Sequence, residues 1–140
     1  LINDDTPLMT MNSDQLVEWD VVDLFEDCKR FDALIPCFYG EGNAWSYARC
    51  GQDGYVEEVA EKKQISEYAT AGYYYWSKGS DFVKYAEQMI EDNSRTNGEF
   101  YVAPVYNWAI KDGKKIGVFM VDKLHSLGTP EDLKEYLGEV

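Results

Sequence analysis

The chain opens with a short apolar run that ends on a carboxylate, the first group in the sequence that could do chemistry. The run covers residues 6–14, Thr-Pro-Leu-Met-Thr-Met-Asn-Ser-Asp, and carries no helical period. A run of this length between polar turn residues predicts a buried strand, with Asp14 at its carboxyl end. Ligands of open α/β sheets bind at that edge. Asp14 is therefore a candidate site residue, with an ordinary turn or capping acid as the alternative.

A second candidate is the charged triplet Glu61-Lys62-Lys63. Such a triplet is typical of a solvated turn. Its place between a predicted hairpin and the strand that contains Gly72 makes a binding site the alternative.

His125 is the single histidine and has no acid or cysteine partner evident in the sequence, so we expect a loop residue and not a general base.

The three cysteines, Cys28, Cys37 and Cys50, are odd in number and lack C-x-x-C spacing. A zinc site or redox motif would need that spacing. We therefore expect buried or idle thiols in a reducing compartment.

The elements that must position these groups alternate between helical and extended patterns. Apolar spacing predicts helices over 20–30, 80–90 and 101–110 and from 129 onward, with Asp20 and Thr129 as N-caps and Pro104 and Pro130 in first turns. Strands are predicted over 31–39, 70–76 and 116–121, and the turn at 51–54 joins two more into a hairpin. This order predicts a single α/β domain, 1–140, with a mixed sheet.

Composition excludes several function classes. The 140 residues carry 26 acidic against 13 basic side chains, a net charge of -13 that repels nucleic acid and anionic lipid. No apolar run approaches the ~20 residues of a membrane span, and no secretory leader is evident. We therefore expect a cytoplasmic protein without nucleic-acid or membrane partners.

Four segments together resemble the sugar-1-phosphate nucleotidylyltransferases, also called sugar-nucleotide pyrophosphorylases. Residues 11–15, Met-Asn-Ser-Asp-Gln, resemble the family's metal-binding strand end. The hairpin, 59–63 and 69–74 are similar to its E-K-P segment and the small-x-x-G strand that follows. Residues 98–101 with Asn107 resemble the end of the sugar pocket, and 127–133 resemble the closing W-x-D-x-G-T-P-E-D-L signature. Order and spacing agree over nearly the whole chain.

The resemblance implies a Rossmann-like nucleotidyltransferase fold, a mixed sheet with helices on both faces. It also implies nucleotidyl transfer from a nucleoside triphosphate to a sugar 1-phosphate, giving a nucleoside diphosphate sugar for polysaccharide biosynthesis, with Mg²⁺ as cofactor. Asp14 would be the catalytic Mg²⁺ ligand, Lys62 would hold the sugar phosphate, and Glu61 would accept hydrogen bonds from the sugar. Four further positions would line the sugar pocket: Ser46, Tyr47, Thr70 and Gly72.

Two departures from the family pattern bear on activity. The closing signature normally supplies a second metal-binding Asp, and Ser126 stands there, with Leu124 in place of the Trp. The family's N-terminal part, with its G-x-G-x-R loop, has no counterpart in this sequence. Because that loop's amides cradle the triphosphate, we expect weak nucleotide binding by this chain alone.

Three hypotheses follow. The first, which we favour, is the C-terminal, sugar- and metal-binding portion of a nucleotidyltransferase that is inactive without an N-terminal complement. The second is a non-catalytic module that keeps the sugar-phosphate pocket. The third is an interaction domain that forms a homo-oligomer through unpaired sheet edges.

Overall fold

The computed structural model describes residues 1–138, in which a mixed sheet carries helices on both faces. The strands are β1 (Leu8–Met11), β2 (Gln15–Glu18), β3 (Ala33–Tyr39), β4 (Ser46–Cys50), β5 (Val56–Glu61), β6 (Tyr68–Thr70), β7 (Tyr73–Trp76), β8 (Ile116–Met120) and β9 (Lys123–Ser126). The helices are α1 (Val21–Cys28), α2 (Gly79–Glu91), α3 (Tyr106–Lys111) and α4 (Pro130–Tyr136), with a 3₁₀ turn at Ala103–Val105.

Seven strands form the main sheet in the order β1-β7-β3-β6-β4-β5, with β8 beside β3. The β3–β8 pair is parallel and the other pairs are antiparallel. The remaining two strands, β2 and β9, form a separate antiparallel ribbon. The predicted mixed sheet and the β4–β5 hairpin are confirmed.

Strand β3 shows why helices lie on both faces. Successive side chains of a strand point to opposite faces. Ile35 and Cys37 accordingly join the larger core, which α2 and α3 cover, while Leu34 packs with Leu24 and Cys28 of α1. Because both of its faces are covered, the strand reads as a continuous apolar run and not as an alternating one.

Two helices, α1 and α4, begin at the N-cap residues predicted from the sequence. The Asp20 carboxylate accepts hydrogen bonds from the backbone N–H groups of Val22 and Asp23, at 2.9 and 3.1 Å. At α4, Thr129 and Asp132 form a reciprocal capping box, with Pro130 in the first turn.

No helix among residues 1–138 is long and apolar enough to cross a membrane.

The predicted single strand over 70–76 is wrong, because the chain turns at Gly72 and forms two strands. Gly72 has φ of 81°, a conformation in which glycine is favoured. β6 pairs with β3 and β4 before the turn, whereas β7 pairs with β1 and β3 after it. The same turn brings the ends of β6 and β1 together, since Asn12 N–H donates to the Gly72 carbonyl at 2.8 Å.

Two further expectations need correction. The helix predicted over 101–110 begins only with the 3₁₀ turn at Ala103, so Tyr101 lies in a loop. His125 is a strand residue of β9, and its Nε2 lies 2.6 Å from Glu18 Oε1 on the paired strand, so it does have an acidic partner.

Candidate active site

A cleft of about 390 Å³ opens where several strands of the sheet end, beside the β2–β9 ribbon. Among residues 1–138, its lining contains carboxylates, amides, hydroxyls and aromatic rings but no Lys, Arg or His. The lining residues are Asn12, Asp14, Gln15, Ala44, Trp45, Ser46, Glu61, Thr70, Gly72, Tyr74, Tyr101, Val102, Ala103 and Ser126.

Three hydroxyl groups from three strands meet in the cleft. Ser46 begins β4, Thr70 ends β6 and Tyr74 lies on β7. The Tyr74 hydroxyl lies 2.9 Å from Thr70 Oγ1 and 3.3 Å from Ser46 Oγ, and the Ser46 and Thr70 hydroxyls are hydrogen-bonded to each other. Burial raises the pKa of Tyr74, which keeps its phenol neutral. The group is thus a buried set of neutral donors and acceptors.

Glu61 places a carboxylate beside this hydroxyl group. It is the last residue of β5 and lies opposite Ser46 in the β4–β5 register. Burial raises the pKa of Glu61, while the Lys62 charge and a hydrogen bond with Ser46 oppose that rise. A half-buried carboxylate next to hydroxyls can accept hydrogen bonds from a polyhydroxylated ligand.

Lys62 lies at the rim of the cleft and outside its lining. Its backbone φ is 55°, a left-handed conformation that costs a non-glycine residue about 1–2 kcal/mol. Its Nζ donates to the Tyr101 hydroxyl at 2.9 Å, and this hydrogen bond is the main reason that the pKa of Lys62 is raised. The side chain therefore carries a positive charge at neutral pH, beside a cleft lined by two acids.

Asp14 lies in the link between β1 and β2, next to the loop that follows β9. Its carbonyl accepts a hydrogen bond from Leu127 N–H at 2.8 Å. A Cβ atom at Gly128 would lie 3.1 Å from Asp14 Oδ2 and 4.0 Å from Ser126 Oγ, so the two oxygens flank this glycine. Ser126 Oγ donates to Asp132 Oδ2 at 3.0 Å, which ties the hydroxyl to the α4 cap.

Five of the predicted site residues line this one cleft: Asp14, Ser46, Glu61, Thr70 and Gly72. Lys62 lies at its rim. Tyr47 does not line it. Tyr47 comes directly after Ser46 on β4, so its side chain points to the opposite face of the sheet, where it is fully buried. The Tyr47 hydroxyl donates to the Gly42 carbonyl at 2.6 Å.

Three lining residues, Asn12, Gln15 and Tyr74, were not predicted as site residues from the sequence. Tyr101, in the segment that resembles the end of the sugar pocket, also lines the cleft, from a loop and not from the predicted helix. Asn12 and Gln15 flank Asp14 in sequence, and a Cβ atom at Gly72 would lie 1.8 Å from Gln15 Oε1 and 2.9 Å from Asn12 Nδ2. The position of Asn12 and Gln15 on either side of a candidate acid was the available signal for these two amides.

Comparison with known proteins gives a structural match. No protein-family model matches the sequence, and no curated protein matches it. The structure is similar to a nucleoside-diphosphate-sugar pyrophosphorylase from Vibrio cholerae RC9, with TM-score 0.78, 23% identity and coverage of 94% of this chain. The fold is that of the sugar nucleotidyltransferases.

Two further solved structures have this nucleotidyltransferase fold. A putative glucose-1-phosphate thymidylyltransferase from Bacillus anthracis, in complex with a sucrose, gives TM-score 0.73 at 17% identity. HddC from Yersinia pseudotuberculosis gives TM-score 0.62 at 17% identity. Each alignment covers 96% of this chain. The chain spans about half the length of these solved chains, 55–56% of each.

Proposed function

We propose that this chain forms the sugar-phosphate-binding portion of a sugar-1-phosphate nucleotidyltransferase. In that reaction a phosphate oxygen of the sugar 1-phosphate forms a bond to the α-phosphorus of a nucleoside triphosphate. The bond from that phosphorus to the bridging oxygen of the β-phosphate breaks, and pyrophosphate leaves. The observation that carries the proposal is the convergence of Asp14, Ser46, Glu61, Thr70 and Gly72 on one cleft of the matching fold.

The cleft suits a sugar because its polar groups are numerous and its wall is aromatic. Glu61 accepts hydrogen bonds from sugar hydroxyls, and the Ser46, Thr70 and Tyr74 hydroxyls both donate and accept. Trp45 lines the wall and offers an apolar ring surface to the C–H face of a sugar. Together these groups offer the sugar several hydrogen bonds, but the Glu61 carboxylate also repels the phosphate of a sugar 1-phosphate.

Lys62 supplies the positive charge that the cleft lining lacks. A sugar phosphate carries about two negative charges near neutral pH. The chain as a whole carries a net charge of -13. The Lys62 ammonium at the rim therefore offsets local repulsion and fixes the phosphate for in-line attack.

The residues present fit Mg²⁺ only as an ion shared with the substrates. Among residues 1–138 no three His, Cys, Asp or Glu side chains gather into a group that could hold a metal. Asp14 offers one carboxylate, and Mg²⁺ is commonly bound by one or two carboxylates with substrate phosphates and water as its other ligands. Bound there, the ion would neutralise charge that develops on the transferring phosphate.

A non-catalytic sugar-phosphate-binding module is the second candidate function. The observation that favours it is Ser126, which lines the cleft near Asp14 and whose hydroxyl is bound to Asp132. A hydroxyl is a weaker Mg²⁺ ligand than a carboxylate. Such a module would bind the sugar phosphate and release no pyrophosphate.

The test is pyrophosphate release from a panel of nucleoside triphosphates and sugar 1-phosphates with Mg²⁺. The chain is assayed alone and mixed with a polypeptide that supplies the part of the Vibrio cholerae fold outside the match. We expect Mg²⁺-dependent turnover in the mixture, its loss in Asp14→Asn, and its retention in Asp122→Asn, an exposed acid outside the cleft. Turnover that survives Asp14→Asn would contradict the assigned role. Sugar-phosphate binding without turnover in any mixture would favour the non-catalytic module.

A further inference from the structure

We propose that Tyr101 is the positioning residue that holds the Lys62 ammonium where a substrate phosphate meets it. The inference rests on the proposed function of the cleft as a sugar-phosphate site. It starts from the charges of the cleft, because the described part of the chain lines it with the carboxylates of Asp14 and Glu61 and with no basic side chain. Lys62 places an ammonium at the rim, so its position affects how tightly a phosphate is bound.

The Lys62 backbone is held in an unusual conformation. Among residues 1–138, three non-glycine residues have positive φ: Lys62, Asn93 and Asn97. Asparagine tolerates this region because its short polar side chain bonds locally, whereas lysine gains nothing comparable. Lys62 N–H also donates to the Trp45 carbonyl at 3.0 Å, which anchors the residue at the end of β5. The left-handed backbone and the hydrogen bond to Trp45 together fix the point from which the Lys62 side chain extends to Tyr101.

Tyr101 provides the other end of that arrangement. Its hydroxyl donates to Glu99 Oε2 at 2.8 Å and accepts from Lys62 Nζ at 2.9 Å. Because the phenol proton is committed to Glu99, an oxygen lone pair is left for the ammonium. The ammonium also lies 5.0 Å from the centre of the Tyr101 ring, within the range of a cation–π contact.

The direct hydrogen-bond partner of the Lys62 ammonium is a neutral phenol, while the Glu61 and Glu99 charges act on the ammonium without a hydrogen bond to it. A carboxylate in place of the phenol would neutralise the ammonium, whereas the phenol orients it and uses one of its three donors. Two N–H groups then remain for phosphate oxygens. Tyr101 itself lines the cleft, so the ammonium that it holds lies at the cleft's mouth. Without this hydroxyl, an exposed lysine would sample many rotamers and bind an anion less tightly.

The experiment compares binding of a sugar 1-phosphate with binding of the same sugar without phosphate, by calorimetry or NMR titration of this chain. The probes are glucose, mannose and galactose 1-phosphates and their methyl glycosides. The ratio of the two dissociation constants measures what the phosphate contributes. The variants are Tyr101→Phe, Lys62→Met and the double variant, with Tyr39→Phe as the matched control. Tyr39 is 68% exposed and lies outside the cleft.

We expect Tyr101→Phe to reduce the phosphate contribution by roughly threefold to tenfold, the range for the net contribution of one ordinary hydrogen bond. Affinity for the methyl glycoside stays unchanged, and Tyr101→Phe has no further effect in the Lys62→Met background. If Tyr101 only shaped the wall of the cleft, its replacement would change the affinities for the sugar 1-phosphate and the methyl glycoside by the same factor.

Two results would overturn the inference: an intact phosphate contribution in Tyr101→Phe, or effects of the two substitutions that simply add. If the unaltered chain binds no sugar 1-phosphate of the panel, the proposed function fails first and the inference with it. If binding occurs but Lys62→Met leaves the phosphate contribution intact, the role of Lys62 fails separately.

Discussion

Replacement of Gly72 by alanine should cost both stability and ligand binding, and a second glycine separates the two costs. Gly72 has φ of 81°, and an added Cβ would lie 1.8 Å from Gln15 Oε1 and 2.9 Å from Asn12 Nδ2. Gly54 has nearly the same φ, 84°, but a Cβ there would meet nothing within 4 Å. The two positions thus share backbone strain and differ in steric contact.

The backbone term is about 1–2 kcal/mol for alanine in the left-handed region. For a chain of this size that corresponds to a fall of roughly 3–8 °C in the unfolding midpoint, at either position. At Gly72 the Gln15 side chain must also move away from the cleft. Loss of one neutral hydrogen bond to the ligand corresponds to about 0.5–1.5 kcal/mol, or roughly twofold to tenfold in affinity.

Thermal unfolding by circular dichroism and titration with a sugar 1-phosphate measure the two effects. We expect both variants to be destabilised by similar amounts and only Gly72→Ala to bind more weakly. Equal affinities for the two variants would show that Gln15 and Asn12 do not contribute to the site. A Gly72→Ala protein as stable as the unaltered chain would refute the strain at this turn.

Three other perturbations follow from the contacts described above. Glu61→Gln should weaken sugar binding yet raise the unfolding midpoint at pH 7. Because burial raises the pKa of Glu61, its ionised form opposes folding, so this gain should vanish as the pH falls below the ordinary glutamate value of about 4.3. Asn107→Ala should destabilise the chain by about 1–3 kcal/mol, since the Asn107 amide bonds both the N–H and the carbonyl of Val59, at 2.8 and 2.7 Å. In a thiol-labelling time course, Cys50 should react before Cys37, which is fully buried and whose pKa burial raises well above the ordinary thiol value.

Each of these has a control or a contradicting result. Glu67 is exposed, so Glu67→Gln should leave both sugar affinity and the unfolding midpoint unchanged. A destabilised Glu61→Gln at pH 7 would show that its carboxylate is better satisfied than its surroundings indicate. A change below about 0.5 kcal/mol for Asn107→Ala would mean that water replaces the amide. Rapid labelling of Cys37 in the native chain would contradict its burial.

The features that could be predicted from the sequence are those set by neighbouring residues. Asp20 and Thr129 cap their helices through backbone groups two or three residues away. The hairpin follows from the turn chemistry of 51–54, and the apolar run of β3 follows from burial on both faces. Such local signals act before the chain is compact, which is why pattern alone identifies them.

The missed features depend on residues that are distant in sequence. The Ser46 and Tyr74 hydroxyls are 28 positions apart, and Glu18 and His125 of the ribbon are 107 apart. Four-residue strands such as β2 carry too little periodicity to be distinguished from loops. Gly72 shows a mixed outcome, since its place in the site was predicted while the turn that it makes between β6 and β7 was not.

The most direct test of the proposed sugar-phosphate site is a ¹⁵N-resolved NMR titration of this chain with sugar 1-phosphates. The predicted result is a saturable shift of the backbone amides of Ser46, Glu61, Lys62, Thr70 and Gly72, with weaker effects from the corresponding methyl glycoside. These residues line the cleft or lie at its rim. Shifts confined to other parts of the chain, or none with any sugar 1-phosphate, would contradict the assignment of the cleft.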